Sequence, residues 1–319
     1  MIQRFVLEAL FMNKILFIIG PTASGKSGAA IKLAKKINAE IISCDSMQVY
    51  KGMDILSQKP LSHQMASVSH YMISVISPNK EFSVADYKSK VEGIIRKIHM
   101  RGKLPLIVGG SGLYVKALVD GLLISKPKDT KLRDKLFALS KKYGNKYLYN
   151  RLKKVDPNAA KNIHPNNTRR VIRALEVYKT SGTPISVMKT KTYGLASKYD
   201  IKIFGLKRDR ENLYDRINKR VDNMLKSGLL DEVERLKRKK ISLTAKAALG
   251  YKEIGGYLDG SYDQEEAVEL LKRNTRRFAK RQITWFKKDP SITWIEVAKD
   301  DTADKIVNKI MKHLTAIKH

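Results

Sequence analysis

KILFIIGPTASGKSGAAIKLAKK, residues 14–36, decides the fold of this chain. It opens with a short apolar run rich in Ile, passes through a glycine-rich turn, and ends with apolar residues at helical spacing. Residues 20–27, GPTASGKS, match the pattern G-x-x-x-x-G-K-[ST]. They follow a predicted strand and precede a predicted helix, which is the context that gives this pattern meaning. The stretch therefore predicts a phosphate-binding loop of the Walker A type.

The predicted loop has the chemistry to bind a di- or triphosphate. Its glycines let consecutive backbone N–H groups point into one concavity, and the helix start adds the positive end of its dipole. Lys26 is expected to reach the terminal phosphate, and the Ser27 hydroxyl is the predicted ligand of Mg²⁺. The predicted binding residues are Gly20, Pro21, Thr22, Ala23, Ser24, Gly25, Lys26 and Ser27. A kinase, an ATPase and a diphosphate-releasing transferase all remain open, because the loop does not specify the reaction.

Buried-strand patterns recur along the chain, with helical patterns between several of them. After the first strand they cover residues 40–44, 71–76, 104–108 and 201–206. Such alternation predicts the α/β class, with a P-loop NTPase-like parallel sheet flanked by helices and a helical C-terminal portion. We expect residues 13–125 and 200–319 to form this core, and residues 1–12 to be an N-terminal extension.

The middle of the chain follows a different pattern. From about residue 129 to residue 180 the strand signals vanish, and apolar residues recur at helical spacing. This predicts a helical insertion domain at residues 126–199. Residues 211–240 are also predicted to be helical, with an apolar face and a basic one.

The charge balance indicates a polyanionic partner. The 319 residues include 63 Lys and Arg against 31 Asp and Glu, which leaves a formal net charge of +32. Nucleic acid would suit such an excess, as would an anionic membrane surface, while a lysine-rich proteome is the alternative without a partner.

Cysteine content and hydropathy narrow the class of protein. The single Cys44 cannot form an internal disulfide, which favours a reduced, intracellular protein. No apolar run approaches the roughly 20 residues that a membrane-spanning helix needs. The apolar stretch at residues 5–11 is short and lacks a signal-peptide cleavage pattern. We therefore expect a cytoplasmic protein that is not attached to a membrane. We also expect a monomer.

Two further strand ends carry polar residues. Asp45 and Ser46 directly follow a predicted strand, where open α/β sheets place their chemistry. A carboxylate there could hold Mg²⁺, accept a proton or cap the next helix.

Residues 109–112, GGSG, follow the strand after which a Walker B ATPase would carry an acidic metal ligand. Ser111 offers a hydroxyl instead, unless the segment is an ordinary strand-to-helix turn.

Four segments together resemble the tRNA dimethylallyltransferase family, also called tRNA isopentenyltransferase. They are GPTASGKS at 20–27, DSMQVYKGMDI at 45–55, GGSGLY at 109–114 and RRFAKRQITWF at 276–286. Their order and spacing match as well. Two further similar stretches, residues 163–177 and 216–233, extend the resemblance over nearly everything after residue 13.

The resemblance implies a specific reaction. Such enzymes transfer dimethylallyl from dimethylallyl diphosphate to N6 of the adenine 3′-adjacent to the anticodon, position 37. The tRNAs concerned read codons that start with U, and the products are diphosphate and N6-dimethylallyladenosine. The implied partners are the tRNA anticodon stem-loop and dimethylallyl diphosphate, with Mg²⁺ as cofactor. The phosphate loop would then hold the diphosphate, and the excess of positive charge would hold the tRNA.

The resemblance also implies catalytic roles. Asp45 matches the base that takes the proton from the adenine amine. Ser111 would hold that amine or a bridging diphosphate oxygen; the family usually has Thr here, so this chain loses one methyl group and keeps the hydroxyl. Lys26 and Arg220 would stabilise the charge on the departing diphosphate. For Arg220 the alternative is a solvated helix arginine.

RNA recognition is expected to involve an adenine flipped out of the anticodon loop. Basic residues at spacings of three or four suit phosphate contacts, although such stripes are usually solvated helix faces. Arg133 matches a family position that touches tRNA. The predicted tRNA-binding residues are Asp45, Ser46, Met47, Gln48, Ser111, Arg133, Asn167, Arg169, Arg170, Arg173, Arg277, Lys280, Arg281 and Gln282. Trp285, Phe286 and Trp294 are expected in the core.

Two other classes of function fit parts of the sequence. A P-loop kinase or ATP-driven nucleic-acid motor would use the loop and tolerate the charge, but the missing Walker B acid argues against it. A non-catalytic RNA-binding protein with a relic nucleotide site is disfavoured by the intact Lys26, Ser27 and Asp45.

Overall fold

The computed structural model describes residues 13–122, 129–189 and 192–315. The predicted N-terminal extension at residues 1–12 lies outside these residues. The chain divides into two compact units, one formed by the residues up to Val119 together with those from Lys198 onward, and one formed by Asp120–Ser197. None of the helices in the described residues is long and apolar enough to cross a membrane.

The larger unit is built on a parallel sheet. Its strands in the described residues are β1 Lys14–Ile19, β2 Ala39–Cys44, β3 His70–Tyr71, β4 Leu104–Gly109, β5 Asp200–Arg208 and β6 Ile292–Val297. The spatial order is β3-β2-β4-β1-β5-β6, and every neighbouring pair is parallel. This confirms the predicted α/β class and parallel sheet.

Helices cover the sheet and form the smaller unit. In chain order they are α1 Lys26–Lys36, α2 Ser62–Ser67, α3 Val84–Met100, α4 Gly112–Val119, α5 Thr130–Tyr143, α6 Asn145–Val155, α7 Pro157–Lys161, α8 Thr168–Ser181, α9 Ile185–Lys189, α10 Arg210–Lys226, α11 Leu229–Lys237, α12 Tyr251–Leu258, α13 Gln264–Phe286 and α14 Ala303–Thr315. Short 3₁₀ turns lie at Leu195–Ser197 and Ala245–Ala247.

The core of the larger unit forms where helices cover the apolar strands. Helices α1 and α14 pack with the sheet through a cluster that includes Leu16, Leu33 and Ile306. Helix α3 contributes Tyr87, whose fully buried ring stacks on Tyr114 with 4.0 Å between centroids. Because β1 runs between β4 and β5, all five of its residues after Lys14 are buried, as expected for a central strand of a parallel sheet.

The smaller unit has its own apolar core. Leu136, Leu148, Leu152 and Leu175, from helices α5, α6 and α8, are buried in one cluster. Glu176 lies beside this cluster with 1% of its side chain exposed. The unit contains no strand in its described residues. It spans the part of the chain that was predicted as a helical insertion at residues 126–199.

Three elements differ from the sequence prediction. The strand expected at residues 71–76 ends at Tyr71, because Met72 and Ser74 adopt positive φ angles of 62° and 52°, which interrupt extended backbone. The helix expected at residues 211–240 is two helices, α10 and α11, divided at Gly228 with φ 91°. Strand β6 was not predicted.

Candidate active site

Strand register brings three loops to one edge of the sheet. Gly109, the last residue of β4, pairs with Ile19 of β1 and with Cys44 of β2. The three strands therefore end at the same level. The residues that follow them, the loop at 20–27, Asp45 and the GGSG segment, are neighbours although they are distant in sequence.

The phosphate loop has the backbone form that its sequence predicts. Gly20 has φ 148°, and a Cβ there would lie 2.8 Å from the carbonyl oxygen of Leu206, so no other residue fits. Gly25, with φ 100°, is the N-cap of α1 and adds no capping side chain. The amides of the first turn are thus left for an anion, as at other helix N-termini that bind phosphate.

Two arginines hold the loop from its outer side. Arg208 is buried at the end of β5, and its Nε donates to the carbonyl oxygen of Ser24 at 3.0 Å. Arg216 on α10 donates from Nε to the carbonyl oxygen of Ala23 at 2.9 Å. Neither residue was predicted to belong to the site. An arginine at the end of an apolar strand, directly before the N-cap Asp209, is the signal in the sequence that could have indicated the role of Arg208.

Lys26 is held at the mouth of the loop. Its Nζ donates to the carbonyl oxygen of Pro21 at 2.5 Å and lies 3.5 Å from Ser24 Oγ. Burial and, to a smaller extent, the nearby Arg220 lower the pKa of this lysine to about 7, against the opposing effect of Asp45. Burial also lowers the pKa of Arg220, again opposed by Asp45. A bound anion would offset this effect, because it would stabilise both cations.

The side chains of Asp45 and Ser111 both accept hydrogen bonds from the backbone of the turn after β2. Asp45 Oδ1 accepts the backbone N–H of Met47 at 2.8 Å, and Ser111 Oγ accepts the backbone N–H of Ser46 at 3.1 Å. Both side chains line the same cavity as Lys26 and Arg220. The structure therefore brings together the four residues that were predicted to be catalytic.

The cavity has a polar end and an apolar wall. Its volume is about 310 Å³. Beside the phosphate loop and Asp45 its lining is polar, whereas Leu56, Val221, Met224, Leu249, Leu271 and Phe278 supply apolar surface. Such a combination suits a ligand with an anionic head and a short hydrocarbon tail.

The segment after Asp45 is fastened within the protein. Gln48 Oε1 accepts the hydroxyl of Ser43 at 2.7 Å, and its Nε2 donates to the carbonyl oxygens of Ser57 and Gln58. The buried Glu232 accepts three consecutive backbone N–H groups, those of Asp54, Ile55 and Leu56, at 2.8–2.9 Å. Glu232 was not singled out from the sequence. Met47 and Gln48, both predicted to bind tRNA, line the cavity, and Met47 is the freer of the two because the Gln48 side chain is engaged internally.

Helix α13 carries four of the predicted RNA contacts of the larger unit. Arg277, Lys280 and Arg281 are exposed, and Arg281 also lines the cavity. Gln282, in contrast, is buried, and both polar ends of its amide bond to protein backbone. Phe286 is in the core as expected. The expectation for Trp285 was wrong, since its side chain is 38% exposed where it packs over Gly112.

The residues of the smaller unit that were predicted to bind tRNA are not equally available for RNA. Arg169 and Arg170 are exposed on α8. Arg133 donates twice to Glu176, from Nε at 2.9 Å and from Nη2 at 2.8 Å, and Arg173 donates to the same carboxylate at 2.6 Å. The Asn167 side chain caps α8. Arg133, Arg173 and Asn167 therefore have structural roles in the unit.

The site suits a metal that is held mainly by phosphate oxygens. Among the described residues, no three or more His, Cys, Asp or Glu side chains are arranged to hold an ion. Mg²⁺ typically keeps several waters and binds through one or two protein groups plus substrate phosphates. Ser27 and Asp45, which both line the cavity, fit that pattern.

Fold and site define a P-loop-type α/β protein with a cavity for an anionic ligand that carries an apolar tail. A family model described as IPP transferase matches residues 48–289. The tRNA dimethylallyltransferase of Halothermothrix orenii is 49% identical over 303 residues, covering 94% of this chain and 92% of the relative. That of Acetivibrio thermocellus is 47% identical, covering 95% and 98%.

Solved structures of the same kind of enzyme are also similar to this chain. A full-length tRNA isopentenylpyrophosphate transferase from Bacillus halodurans has a TM-score of 0.70 and 43% identity, covering 95% of this chain and 97% of that one. A eukaryotic dimethylallyltransferase, described as acting on tRNA, has a TM-score of 0.81 and 29% identity, covering 94% and 78%. This chain belongs to the IPP transferase family and is a prenyltransferase. The resemblance inferred from the sequence is confirmed.

Diphosphate binding at pH 8 should take up a proton at Lys26. With a pKa of about 7, the lysine is mostly neutral at pH 8, and a bound anion favours its charged form. Calorimetric titration with inorganic diphosphate in buffers of different ionisation enthalpy measures the uptake. Lys26→Arg is the control, because arginine keeps the positive charge and does not titrate. Equal proton uptake by the two proteins would contradict the prediction.

Proposed function

We propose that this chain transfers a dimethylallyl group from dimethylallyl diphosphate to N6 of the adenine at position 37 of tRNA. The tRNAs would be those that read codons starting with U, and the product would be N6-dimethylallyladenosine. The observation that carries the proposal is one cavity in which Lys26 and Arg220 lie beside Asp45 and an apolar wall. Relatives named tRNA dimethylallyltransferase at 47–49% identity support it.

The cationic end of the cavity would bind the leaving group. As the allylic C–O bond breaks, its electron pair stays with the diphosphate, and donors fixed around that charge lower the barrier. Lys26 is held by the carbonyl oxygen of Pro21 before the substrate arrives, and Arg220 lines the same cavity. Ser27 would hold Mg²⁺, which would neutralise part of the diphosphate charge.

The carboxylate end would act on the nucleophile. The N6 amine is weak because its lone pair is delocalised into the ring, and it must lose a proton as the new C–N bond forms. Asp45 would accept that proton, a contribution of typically ~10²–10⁴-fold. The hydrogen bond from Met47 N–H orients the carboxylate. Ser111, whose oxygen accepts from Ser46 N–H, keeps its own proton to donate to the amine or to a bridging oxygen.

Exposed cations would hold the RNA while the base enters the cavity. Extruding an adenine from a loop costs a few kcal/mol, which phosphate contacts can offset. On α13 the exposed groups are Arg273, Arg277, Lys280 and Arg281, and on α8 they are Arg169 and Arg170. We also propose that the protein acts as a monomer in the cytoplasm, without membrane attachment.

The proposal is tested by a transfer assay. The protein, Mg²⁺, labelled dimethylallyl diphosphate and an anticodon stem-loop with adenine at position 37 are incubated, and the digested nucleosides are identified by mass spectrometry. We expect N6-dimethylallyladenosine. A stem-loop in which the adenine is replaced by unsubstituted purine lacks the exocyclic amine and should receive no label. RNA-stimulated ATP hydrolysis without any prenylated nucleoside would instead support a motor.

Asp45→Asn should lower kcat by ~10²–10⁴-fold while leaving tRNA affinity within a few-fold. The amide preserves shape and cannot take the proton. Single-turnover rates and filter binding of the stem-loop separate the two effects. Asp215→Asn, an exposed site on α10, is the control for loss of a carboxylate. Unchanged turnover in Asp45→Asn would end the assignment of Asp45 as base.

Replacing Arg277 and Arg281 by Gln should weaken stem-loop binding and reduce its salt slope by ~0.7–0.9 for each phosphate that is no longer neutralised. Diphosphate binding by Arg277→Gln should stay at the wild-type value. The slope is read from dissociation constants at several salt concentrations. Lys35 and Lys36, exposed at the end of α1, provide a matched double replacement. An identical slope in both double variants would remove Arg277 and Arg281 from the interface.

A further inference from the structure

Gln282 connects two loops of the candidate active site. Its Oε1 accepts the backbone N–H of Thr22 at 2.9 Å, and its Nε2 donates to the carbonyl oxygen of Gly110 at 2.9 Å. These partners are 260 and 172 residues away in sequence. The residue is 7% exposed. One buried amide therefore spans the phosphate loop and the segment that carries Ser111.

The glycines beside Ser111 make this contact possible. A Cβ on Gly110 would lie 2.2 Å from Nε2 of Gln282 and 2.9 Å from the carbonyl oxygen of Gly20. A Cβ on Gly112 would lie 2.4–2.7 Å from the ring of Trp285, one turn further along α13. Helix α13 thus approaches the GGSG segment at both glycines. Ser111, between them, directs its hydroxyl to Ser46 N–H in the cavity.

An amide is suited to this place by its chemistry. It offers an acceptor to the N–H of Thr22 and a donor to the carbonyl of Gly110 at the same time. A carboxylate would set oxygen against the carbonyl oxygen of Gly110, and a thioether would bond to neither group. Because both polar atoms have partners inside the protein, the amide is better placed to fix the loops than to contact RNA.

We propose that Gln282 is a positioning residue that sets the spacing between the diphosphate-binding loop and the Ser111 hydroxyl. This rests on the proposed function, in which the two loops serve the same transfer. Gln282 lines the cavity, but both polar atoms of its amide bond to backbone, so it would act through Thr22 and Gly110. Its loss would shift the two loops relative to each other, and displacements of about 1 Å can cost ~10²-fold in rate.

Gln282→Met tests the role, because Met has a similar length and neither donor nor acceptor. We expect kcat to fall ~10–100-fold and the Kd for inorganic diphosphate to rise several-fold, with the KM for the stem-loop unchanged. Thr284→Ala, exposed on the same helix and bonded to Lys280 of its own turn, should behave as wild type. Combined with Ser111→Ala, Gln282→Met should show less than additive loss, since Ser111 would already be misplaced.

Gln282→Glu gives a second, independent readout. Above the pKa of the new carboxyl it keeps the acceptor for Thr22 and opposes the carbonyl of Gly110, so kcat should be low. When protonated, the carboxyl can again donate to Gly110. The ratio of variant to wild-type kcat should therefore rise as pH falls. A ratio that does not change with pH would overturn the proposal, provided circular dichroism shows a folded variant.

Two other outcomes would contradict the proposed role of Gln282. A raised KM for the stem-loop with unchanged kcat and diphosphate affinity would make Gln282 an RNA contact. A lower Tm with wild-type kinetic constants would make it a purely structural residue. Diphosphate binding is measured without RNA, so it reports on Gln282 even if the wild-type protein were to prenylate no RNA, in which case only the proposed function would fail.

Discussion

The pairing of β4 with both β1 and β2 is the constraint on which the site depends. It aligns Gly109 with Ile19 and with Cys44, so three chain segments leave the sheet at one level. Parallel strands share a carboxyl edge, and every residue with a proposed catalytic role except Arg220 follows directly from one of these strand ends. Arg220 comes from α10, which packs through Ile217 and Leu213 in a cluster with Ala23 and α13. The geometry of the site is therefore largely a property of the sheet.

The charges at this edge of the sheet suit it to bind a polyanion. Lys26 and Arg220 are both half-buried, and burial lowers the pKa of each. Asp45 opposes that effect on both. Behind the loop, Arg208 and Arg216 bind the carbonyl oxygens of Ser24 and Ala23. Two carbonyl oxygens of the loop are therefore engaged by cations, which leaves Lys26 and the first-turn amides of α1 for phosphate oxygens.

Local patterns predicted the parts of the site that local chemistry determines. The loop at 20–27 could be read because glycine spacing and flanking periodicity lie within one short stretch. Glu232 and Gln282 could not be assigned in this way, since their partners are 176 and 260 residues distant and their roles exist only in the folded chain. The strand expected at 71–76 is shorter than predicted because Met72 and Ser74 adopt positive φ, which their residue types do not indicate. Net charge likewise could not distinguish exposed arginines from Arg133, which Glu176 holds.

Electrostatics and packing both explain why the GGSG segment carries no acidic residue. A carboxylate at the place of Ser111 would stand near Asp45 and near the leaving diphosphate, and like charges at such spacing disfavour ionisation of both groups. ATP-hydrolysing relatives of this fold accept an acid there because a metal neutralises it. Here the neighbouring positions are also closed to side chains, since Gly110 and Gly112 admit Gln282 and Trp285. A small neutral hydroxyl between two glycines is what remains compatible with both the packing of α13 and an anionic leaving group.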